Sequence, residues 1–351
     1  MSALAITAIT AVAAAATVAA APLAYRAVRK HQRANDARID TPNGVVEGRY
    51  VTIGGVEQWL QIRGEDRANP VLLVVHGGPG SPYSVFTPVL RAWERHFTVV
   101  HWDRRGAGRT LRRNGLRPEE LDFELMVEDG IEVAEHLRQH FGQERILLMA
   151  GSMGTIVGLP MVRRRPDLFR AYVGTDFYVN MVENERKGRV DTIERLRAAG
   201  NRRGVAALER LDADPRTWDV KSWGTRMQWS MGTDPTTGNA ALTTLFKLLL
   251  TKPDYSLADV SAWLKGFGKS RDLMFEQFMR WDARALGTSF DVPFYLFQGA
   301  RDVVTLTEPA VEYFAEVVAP QKELVLIDGA SHFCAFSQPA QFLSALCTVR
   351  C

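Results

Sequence analysis

Short apolar runs, too brief for helices and bounded by glycine or charge, recur along most of this chain and read as strands. Gly48 to Ile53 and Val56 to Ile62 flank Gly54-Gly55, a hairpin signal. Val71 to Val75, Phe97 to Trp102, Ile146 to Ala150 and Ala171 to Thr175 follow, then Phe294 to Gln298 and Leu324 to Ile327. Between them, Leu125, Val133 and Leu137 recur at helical spacing within about Glu119 to Phe141, and Thr155 to Arg165 is helix-compatible. Apolar strands alternating with helices predict an α/β fold: a mainly parallel sheet flanked on both faces by helices. The alternation stops at about Asn180. From there to Asp291 the pattern is helical and Arg-rich, and it holds Trp218, Trp223, Trp229, Trp263 and Trp281. The expected organisation is therefore an N-terminal apolar segment and basic linker (1–39), a first core part (40–180), a helical insertion (181–290) and a second core part (291–351).

Charge changes the picture only at the N-terminus. The chain has 351 residues and a formal net charge of +3. Arg26, Arg29, Lys30, Arg33 and Arg38 against Asp36 account for +4, leaving 38 basic and 39 acidic residues elsewhere. A global basic field for nucleic acid is thus absent. Residues 4–25 carry no charge and are long enough to span a bilayer, with basic residues only on their C-terminal side. The reading is a membrane anchor that leaves the main domain in the cytoplasm. Cleavage as a signal peptide near Val18-Ala19-Ala20-Ala21, with secretion, is the alternative. Cys334, Cys347 and Cys351 form neither a disulfide framework nor a metal pair.

The chemistry gathers at strand ends. The run from Ile146 ends in Ala150-Gly151-Ser152-Met153-Gly154 and passes into a helix-compatible segment. A strand that turns sharply into a helix through small residues lifts one serine hydroxyl onto an exposed elbow. Such a hydroxyl needs a base, itself oriented by an acid. Of seven histidines only His332 follows Ser152, in a loop after the last apolar run. The acid belongs at the end of another strand, where open parallel sheets collect functional groups. Asp302, after Phe294 to Gln298, fits, and Asp328 competes as a turn residue. Backbone N–H groups of Met153 and Gly78 are the expected oxyanion donors. His76 reads as a brace for the His76–Gly80 loop. Asp103-Arg104-Arg105-Gly106 reads as a structural turn with an Arg–Asp pair.

His76-Gly77-Gly78-Pro79-Gly80, Asp103-Arg104-Arg105-Gly106-Ala107-Gly108, Gly151-Ser152-Met153-Gly154, Gly299-Ala300-Arg301-Asp302 and Ser331-His332-Phe333 together resemble the proline iminopeptidase branch of the α/β-hydrolase superfamily. The likeness covers roughly Gly48 to Leu346. It implies the α/β-hydrolase fold with residues 181–290 as a helical cap, Ser152 as nucleophile, Asp302 as orienting acid, His332 as base, and Gly78 with Met153 as the oxyanion hole. Two positions depart from the family pattern: Met153 stands where the branch usually has Trp, and Arg104 where it has Gln. An aminopeptidase must also hold a substrate ammonium. Glu183 and Glu185 are candidates, surface pairing with Arg186 or Arg189 being the plainer role. The expected activity is that of a serine hydrolase, an aminopeptidase releasing N-terminal residues from short peptides. An esterase, lactonase or thioesterase, or a non-catalytic binding protein of the same fold, are the alternatives. The acyl-enzyme route calls for no metal or organic cofactor, and the expected partner is a small molecule or short peptide.

Overall fold

The expected strands assemble into one eight-stranded sheet in the order β1-β2-β4-β3-β5-β6-β7-β8. In chain order these are β1 (Val45–Ile53), β2 (Val56–Gly64), β3 (Val71–Val75), β4 (Thr98–Asp103), β5 (Ile146–Gly151), β6 (Phe169–Thr175), β7 (Phe294–Gly299) and β8 (Lys322–Ile327). The computed structural model describes residues 22–234, 236 and 238–349. β1 and β2 form an antiparallel hairpin through Gly54 and Gly55, both at positive φ, and β2 pairs antiparallel with β4. All later pairings are parallel. β3, β4, β5 and β7 are buried along their whole length, as continuous apolar runs covered on both faces must be.

Helices cover the sheet. α1 spans residues 22–36, α2 is Gly108–Asn114, α3 Phe123–Phe141 and α4 Thr155–Arg164. Asp122 caps α3 by accepting from the Leu125 N–H, and Gly142 at φ +63° ends it. Between β6 and β7 the chain is helical: α5 (Met181–Ala198), α6 (Arg202–Glu209), α7 (Val220–Gly232), α8 (Gly238–Thr251) and α9 (Leu257–Met279). Ser256 and Asp259 form a reciprocal capping box at the start of α9. α9 then lies across the loops that leave β3 and β4. Trp263 Nε1 donates to the Pro82 carbonyl at 3.2 Å, and Ser270 Oγ to that of Gly106 at 2.7 Å. Gly80 and Gly266 allow this approach, because a Cβ on Gly80 would run into the Gly266 backbone. After β7 come α10 (Thr307–Glu316), β8, α11 (Cys334–Ser337) and α12 (Pro339–Thr348).

The basic stretch expected as a linker is instead helical and docked, because its charges find carbonyl acceptors. Arg26 donates to the Leu250 and Tyr255 carbonyls at 2.9 and 2.8 Å, and Lys30 Nζ to that of Tyr255 at 2.7 Å. Of the expected membrane segment, residues 4–21 lie outside the described residues. Among the described residues no helix is long and apolar enough to cross a membrane.

The Arg–Asp pair expected in the turn after β4 is made by Arg105 with Asp129 of α3. Arg105 Nε lies 2.5 Å and Nη2 3.1 Å from the two carboxylate oxygens, and Asp129 is fully buried. Gln58 Nε2 donates to the same carboxylate at 2.7 Å. Removing one partner of such a pair strands the other charge. Arg105→Met is therefore expected to lose about 3–5 kcal/mol of stability at pH 7. Urea unfolding reads this, and the loss should shrink at acid pH where Asp129 takes a proton.

Candidate active site

β5 delivers Ser152. The strand ends at Gly151, and Ser152 takes φ +53°, in the left-handed region that costs a non-glycine residue about 1–3 kcal/mol. Small residues make the turn possible. A Cβ on Gly154 would meet the carbonyl oxygens of Val75 and His76, and Gly158 of α4 makes room for the Ala150 methyl. Thr155 Oγ1 donates to the Ser152 carbonyl at 2.7 Å and pins the start of α4.

β7 delivers Asp302, whose carboxylate serves two ends. Oδ1 accepts from the Val304 and Thr305 N–H groups at 2.8 and 2.9 Å, an Asx turn before α10. Oδ2 accepts from Thr305 Oγ1 at 2.6 Å, from Gln298 Nε2 at 3.1 Å and from His332 Nδ1 at 2.9 Å. The His332 Nε2 stands 3.1 Å from Ser152 Oγ. Ser152, Asp302 and His332, 180 residues apart at the extremes, thus meet in one hydrogen-bonded run at the C-terminal ends of the sheet. Asp328, the competing acid, is exposed where β8 ends, whereas Asp302 is buried against the ring. The insertion holds the acid loop from outside. Asn184 donates to the Val304 carbonyl and accepts from the Leu306 N–H, both at 2.9 Å, and Arg226 reaches the Val304 carbonyl at 3.4 Å.

His332 is buried, which alone would lower its pKa. The adjacent Asp302 carboxylate, with Asp176 and Asp234 beyond it, outweighs burial and leaves the pKa above the usual histidine value. Asp176 is not among the residues that the sequence motifs single out. It follows β6 directly, at φ +47°, and its carboxylate, that of Asp302 and a His332 ring nitrogen lie within 4.8 Å of one another. The rule that points to Asp302, an acid at the end of a parallel strand, also points to Asp176.

The loop after β3 closes the other side. A Cβ on Gly77 would lie 2.8 Å from that of Ser152, so Gly77 presses against the serine, while the next residue, Gly78, takes φ +27° beside Ser81. His76 Nδ1 donates to the Gly77 carbonyl at 2.8 Å, which braces the loop. Arg104 lies fully buried behind it, donating through Nη2 to the His76 carbonyl at 2.5 Å. No carboxylate pairs with Arg104 among the described residues. Burial pulls its pKa down to about 9, and burial together with this neighbouring cation keeps His76 neutral.

A cavity of about 330 Å³ opens beside His332, lined by Phe86, Val89, Leu248, Phe333 and Phe336 with Thr244 and Gln338. Apart from His332, no titratable side chain lines it among the described residues. Asp234, which also acts on His332, accepts from the N–H of Thr236 in that wall at 2.8 Å. The two glutamates considered for a substrate ammonium stand elsewhere. Glu183 is half-buried with Lys187 at 3.2 Å and Arg284 at 3.7 Å. Glu185 is fully buried, 3.4 Å from the Arg226 guanidinium.

A mainly parallel sheet that carries a serine, an acid and a histidine on the ends of its strands, with a glycine loop against the serine, defines a hydrolase class among α/β proteins. The chain belongs to the alpha/beta hydrolase family, whose model matches residues 71–345. Within the family its likeness runs to the proline iminopeptidase-like branch. It is 28% identical to the "Probable aminopeptidase YbaC" of Bacillus subtilis (strain 168), over 84% of this chain and 93% of that one. Among solved structures, a proline iminopeptidase-related protein from Thermus thermophilus superposes with a TM-score of 0.59 at 22% identity, over 87% of this chain and 97% of the other. A proline iminopeptidase from Mycobacterium smegmatis gives 0.62 at 17% identity, over 86% and 97%.

The uncompensated guanidinium makes a stability prediction. Arg104→Gln keeps a donor for the His76 carbonyl and removes the buried charge, so its melting temperature should match or exceed the parent's. Arg104→Ala also removes the donor and leaves a void, at a cost of about 2–4 kcal/mol. Calorimetry that finds the two variants equally damaged would refute this account.

Proposed function

We propose that this chain is a serine hydrolase that works through an acyl-enzyme. The single observation that carries the reading is the hydrogen-bonded run from Ser152 Oγ through the His332 imidazole to the Asp302 carboxylate. His332 Nε2 takes the hydroxyl proton as Oγ attacks the substrate carbonyl. The oxyanion forms against the N–H groups of Gly78 and Met153. His332 returns the proton to the leaving group, and water repeats the sequence to release the acid. Asp302 holds the Nδ1–H tautomer and stabilises the imidazolium.

Within that class we infer an aminopeptidase of the proline iminopeptidase type. The likeness to an aminopeptidase over most of both chains supports it, and the apolar cavity beside His332 suits a prolyl or other apolar residue. Glu183 and Glu185 are the ammonium-binding candidates in this reading. One observation favours a second reading, an esterase acting on apolar acyl groups: among the described residues the cavity wall carries no acidic side chain to meet an ammonium.

A fluorophosphonate probe should label the native protein on Ser152, and Ser152→Ala should abolish both labelling and turnover, a loss of at least about 10³-fold. Prolyl, alanyl and leucyl amides assayed beside p-nitrophenyl esters divide the two readings, since ester turnover without amide cleavage excludes the peptidase. His332 acts as a base only when neutral, and its pKa is raised. For the accepted substrate kcat/KM should therefore climb with pH through a midpoint above about 6.5.

A further inference from the structure

Asp176 is a buried carboxylic acid that the mechanism above does not use. Its backbone is in the left-handed region, at φ +47°. Among the described residues only Ser152, Asp176 and Phe333 are non-glycines with positive φ. Ser152 belongs to the proposed triad and Phe333 follows His332, so the backbone strain concentrates around one imidazole. Strain of this kind persists where the surrounding structure enforces it, commonly at functional sites. Its hydrogen bonds both come from Cys334: Oδ1 accepts from the Cys334 N–H at 3.3 Å, and the Cys334 thiol donates to the carboxylate. The group of opposite charge beside it is the histidine.

We propose that Asp176 is a second acid for His332, a positioning residue that shares with Asp302 the stabilisation of the imidazolium formed when Ser152 gives up its proton. The inference rests on the triad reading of Ser152, Asp302 and His332. Consecutive parallel strands, β6 and β7, each end in an acid, and both acids converge on the histidine that follows β8. No atom is transferred to Asp176. Its charge lowers the energy of the protonated ring while Asp302 keeps the Nδ1–H bond.

The groups facing His332 are Asp302 from the β7 loop, Asp176 from the β6 end and Asp234 from the loop between α7 and α8. Those facing Asp176 are His332, Asp302, the Cys334 thiol and the Tyr83 phenol. Burial raises the Asp176 pKa to about 6, His332 pulls it back and Asp302 adds to the rise. Asp176 is thus ionised in the range where His332 must be a neutral base, and is lost as a charge at mildly acid pH.

Asp176→Asn isolates the charge, because asparagine accepts the same Cys334 bond and tolerates left-handed φ. With a p-nitrophenyl ester as substrate, D176N should lower kcat severalfold and shift the acidic limb of kcat/KM to lower pH, since His332 then loses one neighbour that favours its proton. D302N should keep activity at least about tenfold above D302N/D176N, which falls toward the ~10⁴-fold loss of a triad without its acid. Stability gives an independent readout. A carboxyl with raised folded-state pKa favours the fold below its unfolded value and loses that contribution as pH rises through about 6. The parent should therefore lose stability over that interval relative to D176N. An unchanged pH profile in D176N, together with D302N as inactive as the double variant, would overturn the inference. Failure of the parent protein to label on Ser152 would instead overturn the triad reading beneath it.

Discussion

One imidazole, gripped from both sides, is the contact around which this structure is organised. His332 reaches the serine with one nitrogen and an aspartate with the other, at 3.1 and 2.9 Å. Burial opposes a charged ring, and the Asp302 carboxylate opposes burial. At an effective dielectric near 20, a contact of that length is worth several kcal/mol, enough to win. The result is a buried ring that holds a proton more readily than a free imidazole does. Placing it takes the whole sheet, since Ser152, Asp302 and His332 hang from three different strand ends.

The same convergence explains where the fold is uncomfortable. Ser152, Asp176 and Phe333 hold left-handed backbones, and Arg104 keeps a charge in the interior with no acid paired to it among the described residues. Each is unfavourable locally. The offset comes from β3, β4, β5 and β7, buried end to end, and from the insertion, which grips the acid loop through Asn184 and Arg226. The helical insertion therefore does more than pack on itself; it holds the loop that carries Asp302.

Much of this is legible in the sequence. Strand runs such as Val71–Val75 and Phe294–Gln298 are apolar throughout because parallel strands are covered on both faces, and that signal is strong. The elbow and the lone downstream histidine are equally plain. What escapes a sequence reading depends on distant partners. The basic stretch after residue 25 reads as a linker because the carbonyls that anchor it lie over two hundred residues away. The Arg–Asp pair of the β4 turn is expected, but its acid is Asp129, a helix away. Asp176 draws no notice in the sequence, because one polar side chain after a strand carries no periodicity. Its place beside Asp302 and His332 appears only when β6 and β7 are adjacent.

The docked helix α1 has a mechanical meaning. Arg26 and Lys30 fasten to the carbonyls of Leu250 and Tyr255, where α8 ends and the path into α9 begins. Charged donors on the last carbonyls of a helix are firm attachments. A pull on the N-terminal end of α1 is therefore passed to the junction between α8 and α9 as well as to the strand that follows in the chain. A fragment trimmed to begin at the first strand would lose these charged donors and leave the two carbonyls at that junction without them.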